Sequence, residues 1–152
     1  SSYLYLSMSA WFESQNLKGF ANWMKVQAQE EAVHAKIFFN HIVERGGKVK
    51  LDAIAAPKTE WASPLEAFKD TLNHEKHITA CIHGLMDLAI EEKDHAAAIA
   101  LQWFVSEQVE EEANAEELLA KLEMIGDSKN GLYMMDKELA ARVFKLPAGV
   151  TI

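Results

Sequence analysis

Prolines and glycines are so placed in this 152-residue chain that long stretches run without a helix breaker. The prolines are Pro57, Pro64 and Pro147, and Gly19, Gly46, Gly47, Gly126 and Gly131 fall near the expected ends of elements. Between these marks lie Ala, Leu, Glu, Lys, Gln and Met, the strong helix formers. The pattern predicts α1 over residues 1–15, α2 over 18–45 closed by Gly46-Gly47, and α3 over 64–92. It continues with α4 over 95–125, with Asp94 as N-cap and Gly126 as stop, and a short α5 over 131–142. Ser63-Pro64-Leu65-Glu66 reads as a capping box with proline at the first helical position of α3. No segment shows the two-residue alternation of a half-buried strand. Gly84, inside α3, predicts a bend or a close packing contact. The opening SSYLYLSMSAWF reads as the middle of a helix, so α1 is expected to lack its beginning.

Helices α2, α3 and α4 have predicted lengths of roughly 42–46 Å at about 1.5 Å per residue, which suits a four-helix bundle. Two-residue turns join α1 to α2 and α3 to α4 and make each pair antiparallel. The α2–α3 link, residues 46–63, could stretch roughly 60 Å at about 3.3 Å per residue, enough to travel the length of a bundle. The expectation is one all-α domain over residues 1–152, with two hairpins joined by one long crossover and a short fifth helix.

The stripe of α2 that should face inward is Phe20, Met24, Gln27, Glu31, His34 and Phe38. That of α3 includes Phe68, Leu72, Glu75, Thr79 and Ile82, and that of α4 Phe104, Glu107, Glu111, Leu118 and Leu122. Each stripe is apolar at both ends and polar in its middle, so helices of matched length would bring these polar side chains to one level. On α1 the stripe Tyr5, Met8 and Phe12 reaches that level at Tyr5. Four carboxylates on inward stripes without a Lys or Arg are electrostatically unreasonable alone, because buried uncompensated charge costs several kcal/mol. Two remedies are open: carboxyl groups kept neutral by raised pKa values, or bound cations. Carboxylates with one imidazole suit iron or manganese, and also zinc. Taken singly, Glu31-x-x-His34 is a common chance pattern, His34 an ordinary buried histidine, Gln27 and Gln108 core amides, and Tyr5 a packing residue. It is the coincidence at mid-helix on three helices that points to metal. His74, His77 and Cys81 share helical spacing and read as surface or subunit contacts.

The formal net charge of −8 argues against a general binder of nucleic acid or anionic membrane. Cys81 is the single cysteine, which leaves no intramolecular disulfide, and no apolar run reaches the roughly eighteen residues of a membrane span. A soluble cytoplasmic protein is the expectation.

The segments SSYLYLSMSAW, Gln29 to Ala35, His74-Glu75, Leu101 to Glu112, Gly131-Leu132-Tyr133 and Asp136 to Leu139 together resemble the non-haem ferritins of bacteria and archaea. The resemblance covers essentially the whole chain and implies a ferritin-like four-helix bundle carrying a di-iron ferroxidase centre. It implies that Glu31 bridges two irons, that His34 binds the first, and that Glu75 and Glu111 bind the second. Gln108 would then lie near bound oxygen, and Tyr5 beside the centre as a possible one-electron donor. Glu30, Glu107 and Glu110, with Glu111 shared, match a third iron site. The α1 glutamate ligand of the first iron would lie three positions before Ser1. Haem is not expected, since α4 carries Gln108-x-x-Glu111 in place of a second ExxH, and Ala32 stands where a haem-binding relative carries Met. Residues 46–63 leave little room for the extra crossover helix of a mini-ferritin.

By the same resemblance the chain would store and detoxify iron, oxidising Fe(II) to Fe(III) with O2 inside a homo-oligomeric shell of twenty-four subunits. The alternatives are a non-storage di-iron oxidase or peroxidase of the same superfamily, and a shell subunit without oxidation chemistry.

Overall fold

Tyr5, Met8 and Phe12 occupy one face of α1 (Ser2–Ser14) and Phe20 and Met24 one face of α2 (Lys18–Glu44), and all five are fully buried. The computed structural model describes residues 1–147, and within it these two helices pack as an antiparallel hairpin. The Phe12 and Phe20 rings stack at 5.2 Å between centroids. Ser9 Oγ donates to the Ala21 carbonyl at 2.8 Å and Ser2 Oγ to that of Ala28 at 2.7 Å, so the hairpin is tied at two levels. Its turn passes through Asn16 at φ 59°, a left-handed conformation that asparagine tolerates better than most residues.

Helix α2 ends in a Schellman motif. Gly46, at φ 76°, donates to the Val43 carbonyl at 2.9 Å, and Gly47 donates to that of Ile42 at 2.8 Å. The following residues, up to Trp61, form no helix or strand. Their far end is fixed to α1: Ser7 Oγ donates to the Lys58 carbonyl at 2.7 Å, and the buried Trp61 ring meets Trp11 edge-on at 5.6 Å.

Helices α3 (Pro64–Glu91) and α4 (His95–Ile125) make the second hairpin. Ser63 Oγ accepts from Glu66 N–H at 3.1 Å, and the Glu66 carboxylate accepts from Ala62 N–H at 2.6 Å, one residue beyond the N-cap. Asp94 caps α4 by accepting from Ala97 N–H at 3.0 Å, and Gly126, at φ 52°, closes it. Gly84 answers to no close contact, since a Cβ built there would meet nothing within 4 Å.

Helix α5 runs Lys129–Leu139, whereas the sequence pattern predicts 131–142. Ser128 supplies the cap that shifts its start, accepting from Gly131 N–H at 3.1 Å. The end comes early because Arg142 is drawn onto α2, where the Asn22 side chain donates to its carbonyl at 2.9 Å. The chain divides into two compact units: Ser1–Trp61 with the segment from Ser128, and Ala62–Asp127. Among the described residues there is no strand, and no helix is long and apolar enough to cross a membrane. The far end of the expected 1–152 domain, residues 148–152, lies outside the described residues.

Candidate metal centre

In the first unit, helical spacing sets Glu31 and His34 on one buried face of α2, with His34 Nδ1 3.6 Å from Glu31 Oε2. The other carboxylate oxygen, Glu31 Oε1, is buried and accepts no hydrogen bond from the described residues. Leaving such an acceptor unsatisfied costs of order 1–3 kcal/mol, more when it is charged, and a cation is a partner that would repay it. Tyr5 is fully buried on α1.

Glu30, one residue earlier, lies on another side of α2 and is engaged by a cation already. Arg142 Nη2 donates to Glu30 Oε2 at 2.5 Å and Nη1 to Gln27 Oε1 at 2.8 Å. The inward stripes of α2–α4 contain no Lys or Arg, and this arginine arrives from beyond α5. No periodicity could have placed it there.

The second unit centres on Glu75 of α3, 1% exposed, and the buried Gln108 of α4. Gln108 Nε2 donates to Glu75 Oε2 at 3.2 Å and to the Glu75 carbonyl at 3.3 Å. Burial pushes the Glu75 carboxyl up to about 6, against the lowering effect of the Gln108 hydrogen bond. Of the two remedies open to the sequence, the raised pKa is thus present in direction at Glu75, while a value of about 6 leaves this carboxyl mostly ionised at neutral pH. Thr79 donates to Glu112, which is partly buried. On α4, Glu111 is buried, Glu107 half-buried one turn before it, and Glu110 exposed. The structure therefore brings together Glu31 with His34, and Glu75 with Gln108. It leaves Glu110 in solvent and gives Glu30 to Arg142. His77 Nε2 lies 3.7 Å from Cys81 Sγ, and both residues are exposed.

Hard carboxylate oxygens and an imidazole nitrogen, without a thiolate, are donors of the kind found in non-haem iron proteins, and they suit manganese and zinc as well. The model of the ferritin-like domain matches residues 1–125. A bacterial non-heme ferritin from Bacteroides fragilis is 44% identical over 142 residues, 93% of this chain and 88% of that protein. One from Staphylococcus aureus is 40% identical over 144 residues, 95% of this chain and 87% of its own length. Among solved structures, the open pore ferritin of the archaeon Archaeoglobus fulgidus superposes with a TM-score of 0.93 at 51% identity. That match covers 93% of this chain and 88% of the archaeal one. A humanized archaeal ferritin gives a TM-score of 0.95 at 50% identity, over 95% and 88% of the two chains. The chain belongs to the ferritin family, and its five helices carry the ferritin fold.

Proposed function

We propose that the chain is an iron-storage ferroxidase of the non-haem ferritin type, which oxidises Fe(II) with O2 and passes Fe(III) to a mineral store. The observation that carries this reading is the buried, unpartnered Oε1 of Glu31 beside His34, in a chain 44% identical to a bacterial non-heme ferritin. In it Glu31 bridges two iron ions and His34 binds the first. Glu75 and Glu111 bind the second, Gln108 faces the oxygen, and Tyr5 stands by as an electron donor. Glu30, Glu107 and Glu110, sharing Glu111, form a third iron site. Two Fe(II) ions give up one electron each to O2, and the surrounding carboxylates favour this because their charge stabilises Fe(III) over Fe(II).

In this reading α2, α3 and α4 all supply ligands, and the chain acts as one ferritin-like domain. A single subunit encloses no store, and a homo-oligomeric shell of twenty-four subunits, without haem and working in the cytoplasm, completes the reading.

The test is anaerobic Fe(II) loading followed by an O2 pulse, with particle size recorded on the same sample. A cage-sized particle and rapid oxidation are expected, with the rate down at least a hundredfold in Glu31→Ala and His34→Ala. Wild-type rates in both variants would overturn the site. Fast oxidation in a particle of dimer size would instead select the non-storage oxidase.

A further inference from the structure

Arg142 is held by more than its salt bridge. Its guanidinium carbon lies 4.4 Å above the centre of the Trp23 ring, and Nη1 also approaches the Trp23 carbonyl at 3.4 Å. The two arms of the fork go to Gln27 and Glu30, and the Asn22 side chain holds the Arg142 carbonyl. Trp23, Gln27 and Glu30 recur at four- and three-residue steps and so share one face of α2. A stacked, forked guanidinium is the geometry in which arginine loses least freedom per hydrogen bond. The side chains of Arg142 and Glu30 are only 22% and 20% exposed, so solvent screens their attraction less than at an open surface.

We propose that Arg142 is the resident counter-ion of Glu30, so that a metal ion at Glu30 and the docked segment after α5 exclude one another. The proposal rests on the reading of Glu30 as a ligand of the third iron site. A divalent ion reaching Glu30 meets the guanidinium charge on the same carboxylate, and like charges at that range repel. Either the ion binds weakly or Arg142 leaves. Once it leaves, the fork to Gln27, the Trp23 stack and the Asn22 bond lose their common member, and residues 140–147 come away from α2. Arg142 is thus a positioning residue: it touches no substrate and acts through Glu30. Metal occupancy at the third site and release of the chain end are two readouts of one equilibrium, each biasing the other by the same factor.

The experiment uses the full chain in its assembled form, with Zn(II) as a redox-inert probe. Calorimetric titration counts and ranks the metal sites, and hydrogen exchange read by mass spectrometry follows residues 140–147. In the wild type, Zn(II) saturation should raise exchange in that segment at least fivefold. Arg142→Gln should bind the third class of Zn(II) at least tenfold more tightly and show fast exchange before metal is added. Arg142→Lys keeps the charge but loses the fork and the planar stack, so it should fall between, at two- to fivefold. It also keeps the test open if the glutamine variant fails to assemble. Glu30→Gln should lack the third class altogether. If Glu30→Gln removes that class but Arg142→Gln leaves its affinity unchanged or weaker, the counter-ion role is overturned and the ligand role of Glu30 stands. Slow exchange of the segment at Zn(II) saturation, with the third class filled, overturns it equally. If Glu30→Gln retains every class of site, the third-site reading itself falls, and the proposal with it.

Discussion

Asp136 of α5 caps α2 at Gly19. Its Oδ1 accepts from the N–H groups of Gly19 at 2.8 Å and Phe20 at 3.1 Å, two donors that the first turn of a helix cannot satisfy internally. The approach is close enough that a Cβ on Gly19 would stand 1.6 Å from the Asp136 carbonyl oxygen. Gly19 is therefore needed for the space it leaves. Its neighbours in the same joint, Met135 and Leu139, are buried.

Gly19→Ala should push α5 away from α2 and cost about 2–3 kcal/mol, in the range of an overpacked site. Asp136→Ala keeps the space but orphans the two N–H groups and should cost about 1–2 kcal/mol, as for a lost cap. Hydrogen exchange over residues 129–142 checks both. In either variant Arg142 should loosen as well, because it follows α5 in the chain.

Glu75 has a definite pH signature. Its carboxyl sits at about 6 in the folded chain against an ordinary 4.5, so the folded state holds its proton more tightly than the unfolded state. The resulting stability is fully present below about pH 4.5 and is lost as pH rises through about 6; the loss is about 2 kcal/mol at 1.36 kcal/mol per pH unit. Glu75→Gln should remove this dependence. The melting temperature of metal-free Glu75→Gln minus that of the wild type should rise between pH 4.5 and pH 7 and then level off. A flat difference across that range would show that Glu75 keeps its ordinary acidity. In the wild type, a metal ion bound at Glu75 should also release a proton when added near pH 6, which a weakly buffered titration measures.

Glu31 makes the metal-free protein pay for an unsatisfied buried acceptor. Glu31→Gln should therefore cost little or even stabilise the metal-free chain, by up to about 1 kcal/mol, since it removes the charge and keeps the shape. Zn(II) at about a hundred times its dissociation constant should stabilise the wild type by about 2.7 kcal/mol per site through mass action. Glu31→Ala and His34→Ala should lose most of that gain, as read by thermal unfolding with and without chelator.

At the start of α3, Ser63→Ala should cost about 1 kcal/mol through the lost bond to Glu66 N–H. Glu66→Ala frees Ala62 N–H, which is exposed to water, and should cost less than half as much. A melting curve of each variant checks the order.

What could be read in the sequence follows the range of the interactions involved. Ser63, Asp94, Gly46 and Gly126 act within a few residues of themselves, and their caps and stops stand where local chemistry puts them. The buried polar stripe of Glu31, His34, Glu75 and Glu111 was legible too, because helical period alone decides which residues share a face. The partners that come from far along the chain were not. Asp136 reaches Gly19 across 117 positions, and Arg142 reaches Glu30 across 112. Nothing in the neighbourhood of Arg142 announces the Trp23 ring or the Gln27 amide. The start of α5 is a local exception: Ser128 caps it three residues ahead of Gly131, so the helix begins at Lys129, two residues before the position that Gly131 marks.

The anchoring of Lys58 and Trp61 against α1 shortens the part of the connecting chain that is open to change. The side chains of Leu51 to Ala56 are exposed, and they lie between the Schellman glycines and the first anchor. A peptide epitope or fluorescent tag grafted into that stretch would meet water on most sides, whereas the same graft a few positions later would have to dislodge Trp61 from its place beside Trp11.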